Sequence, residues 1–443
     1  MSGPAIASLR ARVQGTVRTP DDDGYPELNT LWNRAKQQTP AVIVGCRNTA
    51  DVVAGVEYAR SAGLPVAVRG GGHSPAGMSS TPGVLIDLRP MCAVSVDPLG
   101  RVAVVGGGAT WAAVDVATQR FGYAVPGIPL SRVGVAGSTI GGGFGHLRRA
   151  YGLACDNLVA ADLVLADGTL ISTSGDVHPE LLWGLRGGGG NFGVVTSLRF
   201  RMQPLPEPVL SGPVVFAPDR TAALLAFYRD YTAQLREDVS TRLAVLGNAV
   251  IVSAACVGHP ADSERLVRPI RTAAPVVRDR LRPQPYAQLQ AAADADYPPG
   301  RFAVVTSAYV DDLEDDLVVA LADAAEAMPS SNCELHLHHM GGAVGRVARM
   351  STAVPNRAAR YLITLICTWD RADQEPDVRQ WLSNAHKSLL PFGSGGPHVG
   401  LHSEPASSIE VYGAERYLRL AALKRRYDAD NVFAANQNVV PLA

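Results

Sequence analysis

Up to about residue 205 the chain alternates short β-branched runs with stretches whose apolar residues recur at helical spacing, and glycine clusters separate the two. Residues 66–69, 83–88 and 102–105 predict strands. Residues 49–61 and 111–121 predict helices, the first stopped by Gly63 and Pro65 and the second by Gly122. The recurring order of strand, glycine turn and helix belongs to an α/β architecture. Beyond the prolines Pro204, Pro206 and Pro208 the glycine density falls, which places a domain boundary there. Residues 243–257 predict a strand pair around Gly247-Asn248, and residues 312–328 an amphipathic helix between strands, so the second half reads as a sheet with helices on one face. A basic helical pattern over 417–427 is followed by Asp430-Asn431 and the polar triplet Asn436-Gln437-Asn438.

At 443 residues the chain exceeds one simple core, and the usual domain size of roughly 100–200 residues gives two or three units. Two lobes with a cleft between them are expected. A net charge of −1 with 18% charged residues leaves no polybasic footprint, which argues against nucleic-acid or acidic-lipid partners and fits a neutral small-molecule substrate. The six cysteines lie far apart without a CxxC pair, so neither a disulfide scaffold nor a zinc ribbon is indicated, and most are expected to be small buried residues. Residues 2–33 show no apolar core of a secretory signal. The longest apolar run, 243–258, is broken by Gly247, Asn248 and Ser253 and falls short of the roughly 20 residues of a membrane span. The expectation is a cytoplasmic protein with no membrane partner.

Chemistry enters with the glycine clusters. Arg69-Gly70-Gly71-Gly72-His73-Ser74 follows a predicted strand, and consecutive glycines let backbone N–H groups converge on an anion such as a pyrophosphate. The alternative is a turn closed by a hydrogen-bonded histidine. Gly141-Gly142-Gly143-Phe144-Gly145, preceded by Gly134 and Gly137, frees backbone for a flat aromatic ligand that Phe144 could wall, or else makes a tight packing turn. A third cluster, Gly187 to Gly190 with Asn191-Phe192-Gly193, opens into a predicted strand over 194–200. Three such clusters point to backbone wrapped round an extended, phosphate-bearing ligand. The segment Gly106-Gly107-Gly108-Ala109-Thr110-Trp111 imitates a dinucleotide turn. Trp111 occupies the third glycine position, however, and no ribose-binding carboxylate follows near Pro129 to Ser131, which argues against a nicotinamide site. His336, His338 and His339 suggest metal ligands. No Asp, Glu or Cys at convincing spacing completes such a site, so a structural role is favoured, with substrate contact as the alternative. Ser172 lacks the GxSxG context of a hydrolase.

In joint order and spacing these segments resemble the vanillyl-alcohol oxidase superfamily, specifically its berberine-bridge-enzyme-like branch with a PCMH-type FAD-binding domain. Further matching pieces are Val133-Gly-Val-Ala-Gly137, Tyr151-Gly-Leu-Ala-Cys-Asp-Asn157, Leu182-Trp-Gly-Leu-Arg-Gly187 and Arg425-Arg-Tyr-Asp-Ala-Asp-Asn-Val-Phe433. The resemblance runs from about Leu9 to Pro441. It implies a two-lobed α+β protein. A FAD-binding domain of two α/β subdomains spans 1–205, with 412–443 returning to it, and a substrate-binding domain with an antiparallel sheet covered by helices spans 206–411. It also implies a covalent bond from His73 to the flavin 8α-methyl carbon, with Arg69, Gly70, Gly71, Gly72 and Ser74 around the pyrophosphate. Gly134, Gly137, Gly141, Gly142, Gly143 and Gly145 would run along the cofactor, with Asp156, Asn157 and Val195 near it, and Asn436 and Asn438 would return from the C-terminal end. Two departures matter. Leu130 stands where many relatives carry a second flavin-bonding cysteine, so a single link through His73 is expected. His398-Val-Gly-Leu401 stands where relatives present Tyr-x-Asn-(Phe or Tyr), so the base is not carried over; His398, His402 and Tyr309, with His336 and His338, are candidates by placement and acid–base range. The implied reaction is removal of a hydride from an alcohol or amine carbon of a small organic substrate, a secondary metabolite or sugar, with O2 reduced to H2O2. A same-fold dehydrogenase with another acceptor, and a flavin-binding protein without turnover, are the alternatives.

Overall fold

The computed structural model describes residues 3–205, 207–404 and 406–443; Ser2 of the N-terminal segment and Pro206 of the expected boundary lie outside them. The strands β1 (Thr16–Arg18), β2 (Val42–Gly45), β3 (Val66–Arg69) and β4 (Val84–Asp87) form a sheet in the order β1-β2-β4-β3. β2, β4 and β3 are parallel, and every residue of β2 and β4 is buried, as strands covered on both faces require. The helix Thr49–Ser61 joins β2 to β3 at the predicted bounds; the Asn48 side chain caps it by accepting from the Asp51 N–H.

A second, antiparallel sheet holds β5 (Val94–Asp97), β6 (Val102–Gly106), β8 (Leu158–Val164), β9 (Leu170–Ser174) and β10 (Val194–Arg201) in the order β5-β6-β10-β8-β9, while β7 (Tyr123–Ala124) and β11 (Gln203–Pro204) form a short ribbon. Its core packs Trp111, Leu182, Phe192 and Phe200 together with Leu420, Ala421 and Leu423 of the helix Ala414–Tyr427. The end of the chain thus returns to the first half. Lys424 fixes that return: its fully buried ammonium donates to Asp428 Oδ2 (2.7 Å), the Asn191 carbonyl (2.8 Å) and the Phe433 carbonyl (2.9 Å).

The largest sheet has eight antiparallel strands: β12 (Val209–Phe216), β13 (Val239–Leu246), β14 (Ala249–Cys256), β15 (Val276–Asp279), β16 (Arg282–Gln284), β17 (Phe302–Val310), β18 (Cys333–His339) and β19 (Tyr361–Trp369). The order is β15-β12-β14-β13-β18-β19-β17, with β16 also on β12. Alternation along the strands separates two faces. Leu243, Val245, Leu335, Leu337, Ile363 and Leu365 pack against helices 221–233, 315–326 and 375–389. The expected helix at 312–328 and the strand pair around Gly247-Asn248 are both present. The other face carries Ser307 and Tyr309, Leu362 and Thr364, Glu334, His336 and His338, and Arg242, brought into rows by the strand register. This face turns toward the first half of the chain. Buried arginines tie it there: Arg148 donates to the His339 carbonyl (2.8 Å), Arg149 to the Val239 carbonyl (3.0 Å), and Arg357 bonds Asp156 through both nitrogens at 2.6 and 3.0 Å. Five of the six cysteines are buried, Cys92 is exposed, and all are free.

Candidate cofactor cleft and active site

Between the three sheets runs a cleft whose walls come from distant parts of the chain. Gly70, Gly71, Gly72, His73 and Ser74 leave β3 along one wall; Gly134, Gly137 and Gly141 form the next, Gly189, Gly190, Gly193 and Val195 a third, and Val399, Gly400, Asn436 and Gln437 close it. The glycines there act in two ways. At Gly71 a Cβ would meet Gly134 N at 2.3 Å, so two backbone segments touch where they turn together. At Gly137, inside the helix Val135–Ile140, a Cβ would meet no atom within 4 Å, and at Gly190 none closer than 4.0 Å. Neither has a positive φ. Glycine at these two positions therefore serves neither the backbone conformation nor internal packing; it leaves room in the cleft.

His73 lies in this lining with its ring stacked on Trp32, the centroids 5.2 Å apart and the planes 16° from parallel. Burial pushes its pKa down to about 4, with Asp294 opposing the shift, so the imidazole is neutral and nucleophilic at ordinary pH. At the C-terminal wall the Asn436 amide donates to the Gly190 carbonyl (3.1 Å), while its buried Oδ1 has no partner among the described residues. A slot kept open by Gly137 and Gly190, with a neutral histidine in its lining and an orphaned amide oxygen in its wall, fits a flat cofactor such as FAD.

Several residues expected at the cofactor take other places. Arg69 is fully buried beneath its loop and donates to the Leu28 carbonyl, beside Asp87. Gly143 and Gly145 are packing glycines: their Cβ atoms would meet Ser138 O at 2.7 Å and Gly127 O at 1.6 Å. Gly142 borders a small side cavity with Phe144, Tyr309 and His398. Asp156 is engaged by Arg357, and Asn157 holds the Tyr151 and Leu153 carbonyls and Gln203. Gln437, rather than Asn438, reaches the cleft. These polar side chains are spent on joining backbone segments, and adjacency in sequence to a lining glycine gave no sign of that.

The three expected catalytic groups also separate. His398 Nδ1 accepts from the Gly400 N–H (3.0 Å), so the proton sits on Nε2 and is donated to the Gly142 carbonyl (3.2 Å). Both nitrogens are committed to backbone, and burial holds the ring neutral with a pKa of about 4. His398 positions the loop and has no acceptor left for a proton. The phenol of Tyr309 is pushed above its ordinary range by burial in an apolar pocket with Leu153 and Met340, which disfavours the phenolate. His402 donates from Nδ1 to the Glu404 carbonyl (3.0 Å), and its buried Nε2 has no hydrogen-bond partner among the described residues.

More chemistry lies on the sheet face opposite. Glu334, His336 and His338 alternate on β18 and share that face. Glu334 Oε2 accepts from the Tyr297 hydroxyl (2.6 Å) and faces His336 Nε2 at 2.9 Å. The carboxylate thus sets the tautomer of His336 and leaves Nδ1 as the acceptor, while burial lowers the imidazole pKa. His338 packs edge-on against Phe144 (4.9 Å), which in turn packs edge-on against His398 (5.5 Å), linking this strand to the second glycine cluster. Alternation on one strand was the available signal for this constellation; Tyr297 and Arg242 carried none. Among the described residues no group of His, Cys, Asp and Glu could hold a metal ion.

Comparison with known proteins agrees with this architecture. A family model described as FAD binding domain matches residues 40–174, and one described as berberine and berberine like matches residues 407–440. The chain is 31% identical to (R)-6-hydroxynicotine oxidase of Paenarthrobacter nicotinovorans, covering 97% of both chains. The crystal structure of 6-hydroxy-D-nicotine oxidase from Arthrobacter nicotinovorans superposes with a TM-score of 0.89 at 29% identity, over 97% of this chain and 98% of that one. The fold alone is shared with the xylooligosaccharide oxidase from Myceliophthora thermophila, at a TM-score of 0.88 and 21% identity over 99% and 100% of the chains. The glycine-walled slot and full-length similarity together identify the chain as a member of the berberine-bridge-enzyme-like family of FAD-dependent oxidoreductases.

Proposed function

We propose that the protein is an oxidase that removes hydride from an alcohol or amine carbon of a small organic substrate, with its FAD held by a single covalent bond from His73. Bound FAD would supply the electron acceptor and hand the electrons to O2, giving H2O2. The observation that carries the reading is the open glycine slot with neutral, buried His73 in its lining. No cysteine lines that slot, which supports one link rather than two. On this reading residues 1–205 with 412–443 hold the cofactor, and 206–411 cover its substrate face.

The chain's own residues then divide the work. Phe144, His398 and the 398–402 loop lie where the second glycine cluster meets the sheet, at the border of the space in which substrate would meet the flavin. His336 is the proton acceptor in this reading, because Glu334 orients its ring and would stabilise the imidazolium that forms when Nδ1 takes a proton from substrate. Denaturing the purified yellow protein in acid and mapping flavin-bearing peptides tests the link. Flavin on the His73 peptide alone is expected, and complete release of flavin would overturn it. Peroxide yield against dye reduction across alcohol and amine substrates tests the oxidase assignment; dye reduction without peroxide would make the protein a dehydrogenase.

A further inference from the structure

The polar face of the large sheet carries a cation, Arg242, that no group among the described residues pairs directly. Arg242 stands opposite His338 in the β13–β18 register and beside Ser253 on β14, half-buried. Among the described residues its guanidinium makes no hydrogen bond and no ion pair. The other arginines here are occupied: Arg148 and Arg149 by backbone carbonyls, Arg357 by Asp156. Two carboxylates act on the neighbourhood of Arg242. That of Glu334 is bonded to Tyr297 and His336, and Asp296 sits on the exposed side of the loop before Tyr297. Around the guanidinium stand three imidazoles, His146 at the end of the second glycine cluster, His336 and His338, and burial together with the Arg242 charge keeps all three neutral. His338 is only 7% exposed, yet among the described residues neither of its ring nitrogens has a hydrogen-bond partner.

A half-desolvated guanidinium without a partner is costly, and its planar fork matches a carboxylate bidentately. The neutral imidazoles beside it can donate to the same group without adding a charge that would need burying. We infer that Arg242, with His338, receives the carboxylate of the substrate, so that this enzyme oxidises a hydroxyl- or amino-bearing carbon in a small organic acid. The inference rests on the reading above that this sheet face covers the substrate. It also departs from the neutral substrate that the overall charge suggests, because net charge averages over the surface and says nothing about one buried cation.

Benzoate and benzamide are isosteric probes that differ in the charge the site would read. Titrated by calorimetry into the purified holoenzyme, benzoate should bind and benzamide should bind more weakly. Arg242→Gln should weaken benzoate roughly ten- to a hundredfold, as expected for loss of a charge-assisted hydrogen bond, and leave benzamide unchanged, with Arg242→Lys in between. Thermal unfolding of Arg242→Gln should come no lower than that of the parent protein, because the substitution removes an unpaired, half-buried charge. Absence of benzoate binding, equal affinity for the two probes, or an unchanged benzoate Kd in Arg242→Gln would each overturn the inference, as would a lower unfolding temperature with benzoate binding intact. Failure of the flavin reading registers separately, as purified protein without yellow absorbance.

Discussion

Gly137 offers a test in which folding and cofactor binding should move in opposite directions. Its helical backbone accepts any residue, and a Cβ there would meet no protein atom within 4 Å. Gly137→Ala therefore carries no steric cost in the protein itself, and helix propensity makes the cofactor-free chain more stable by up to about 1 kcal/mol. Gly137→Leu adds a branched side chain that has only the slot to occupy. Overpacking of about 1–3 kcal/mol against a ligand lowers its affinity roughly five- to more than a hundredfold. The readouts are the flavin-to-protein absorbance ratio of the purified variant and, in a His73→Ala background from which unlinked flavin has been stripped, its unfolding temperature. The expected result is a Leu variant that folds and is nearly colourless, with Ala between it and the parent. Gly145→Ala, whose Cβ would lie 1.6 Å from Gly127 O, is the control that should lose fold and flavin together. A Gly137→Leu protein with full flavin occupancy would show that the cofactor does not occupy this slot, and the reasoning from missing Cβ atoms would fail with it.

Three further outcomes follow from features described above. Glu334→Gln keeps the shape of its site and weakens the hold on His336, so kcat should fall by about 10²–10⁴-fold, the usual contribution of general-base catalysis, with flavin content unchanged; an unaltered kcat and pH profile would remove the pair from the mechanism. Lys424→Met strands the Asp428 carboxylate in the core and should cost about 3–5 kcal/mol in denaturant unfolding, with looser flavin retention because the tail at Phe433 is released. His398 titrates near 4 in the folded protein and near 6.5 when unfolded, so the unfolded chain takes up a proton that the native ring refuses as the pH drops below 6.5. The stability it contributes is complete above pH 6.5 and falls by up to about 3 kcal/mol as the pH approaches 4. His398→Gln should flatten that slope in acid-unfolding curves, and an unchanged slope would count against a buried neutral ring.

Local signals made most of the frame legible. Asn48 and Gly63 bracket the helix Thr49–Ser61, and Gly247-Asn248 turns β13 into β14, because caps and turns depend on a few adjacent residues. The glycine clusters likewise announced a ligand-bearing backbone. What the sequence could not disclose was which way each neighbouring side chain would face. Asp156 beside Asn157 looked like a pair serving the cofactor, yet each is claimed by a distant partner, Arg357 and Gln203. His336 showed its strand face through alternation, but its meaning depends on Tyr297 bonding Glu334, a contact that no local pattern encodes.

The way the slot is assembled also bears on when it can be filled. One wall begins at Gly70, and the last is supplied by residues 433–437, held there by Lys424. During synthesis His73 emerges from the ribosome hundreds of residues before the segment that closes the site around it. A flavin arriving early meets an open edge. On the proposed link through His73, attachment should therefore be a late, post-translational event, completed after the C-terminal helix has docked, and the bound cofactor would then bridge segments more than 350 residues apart in the chain.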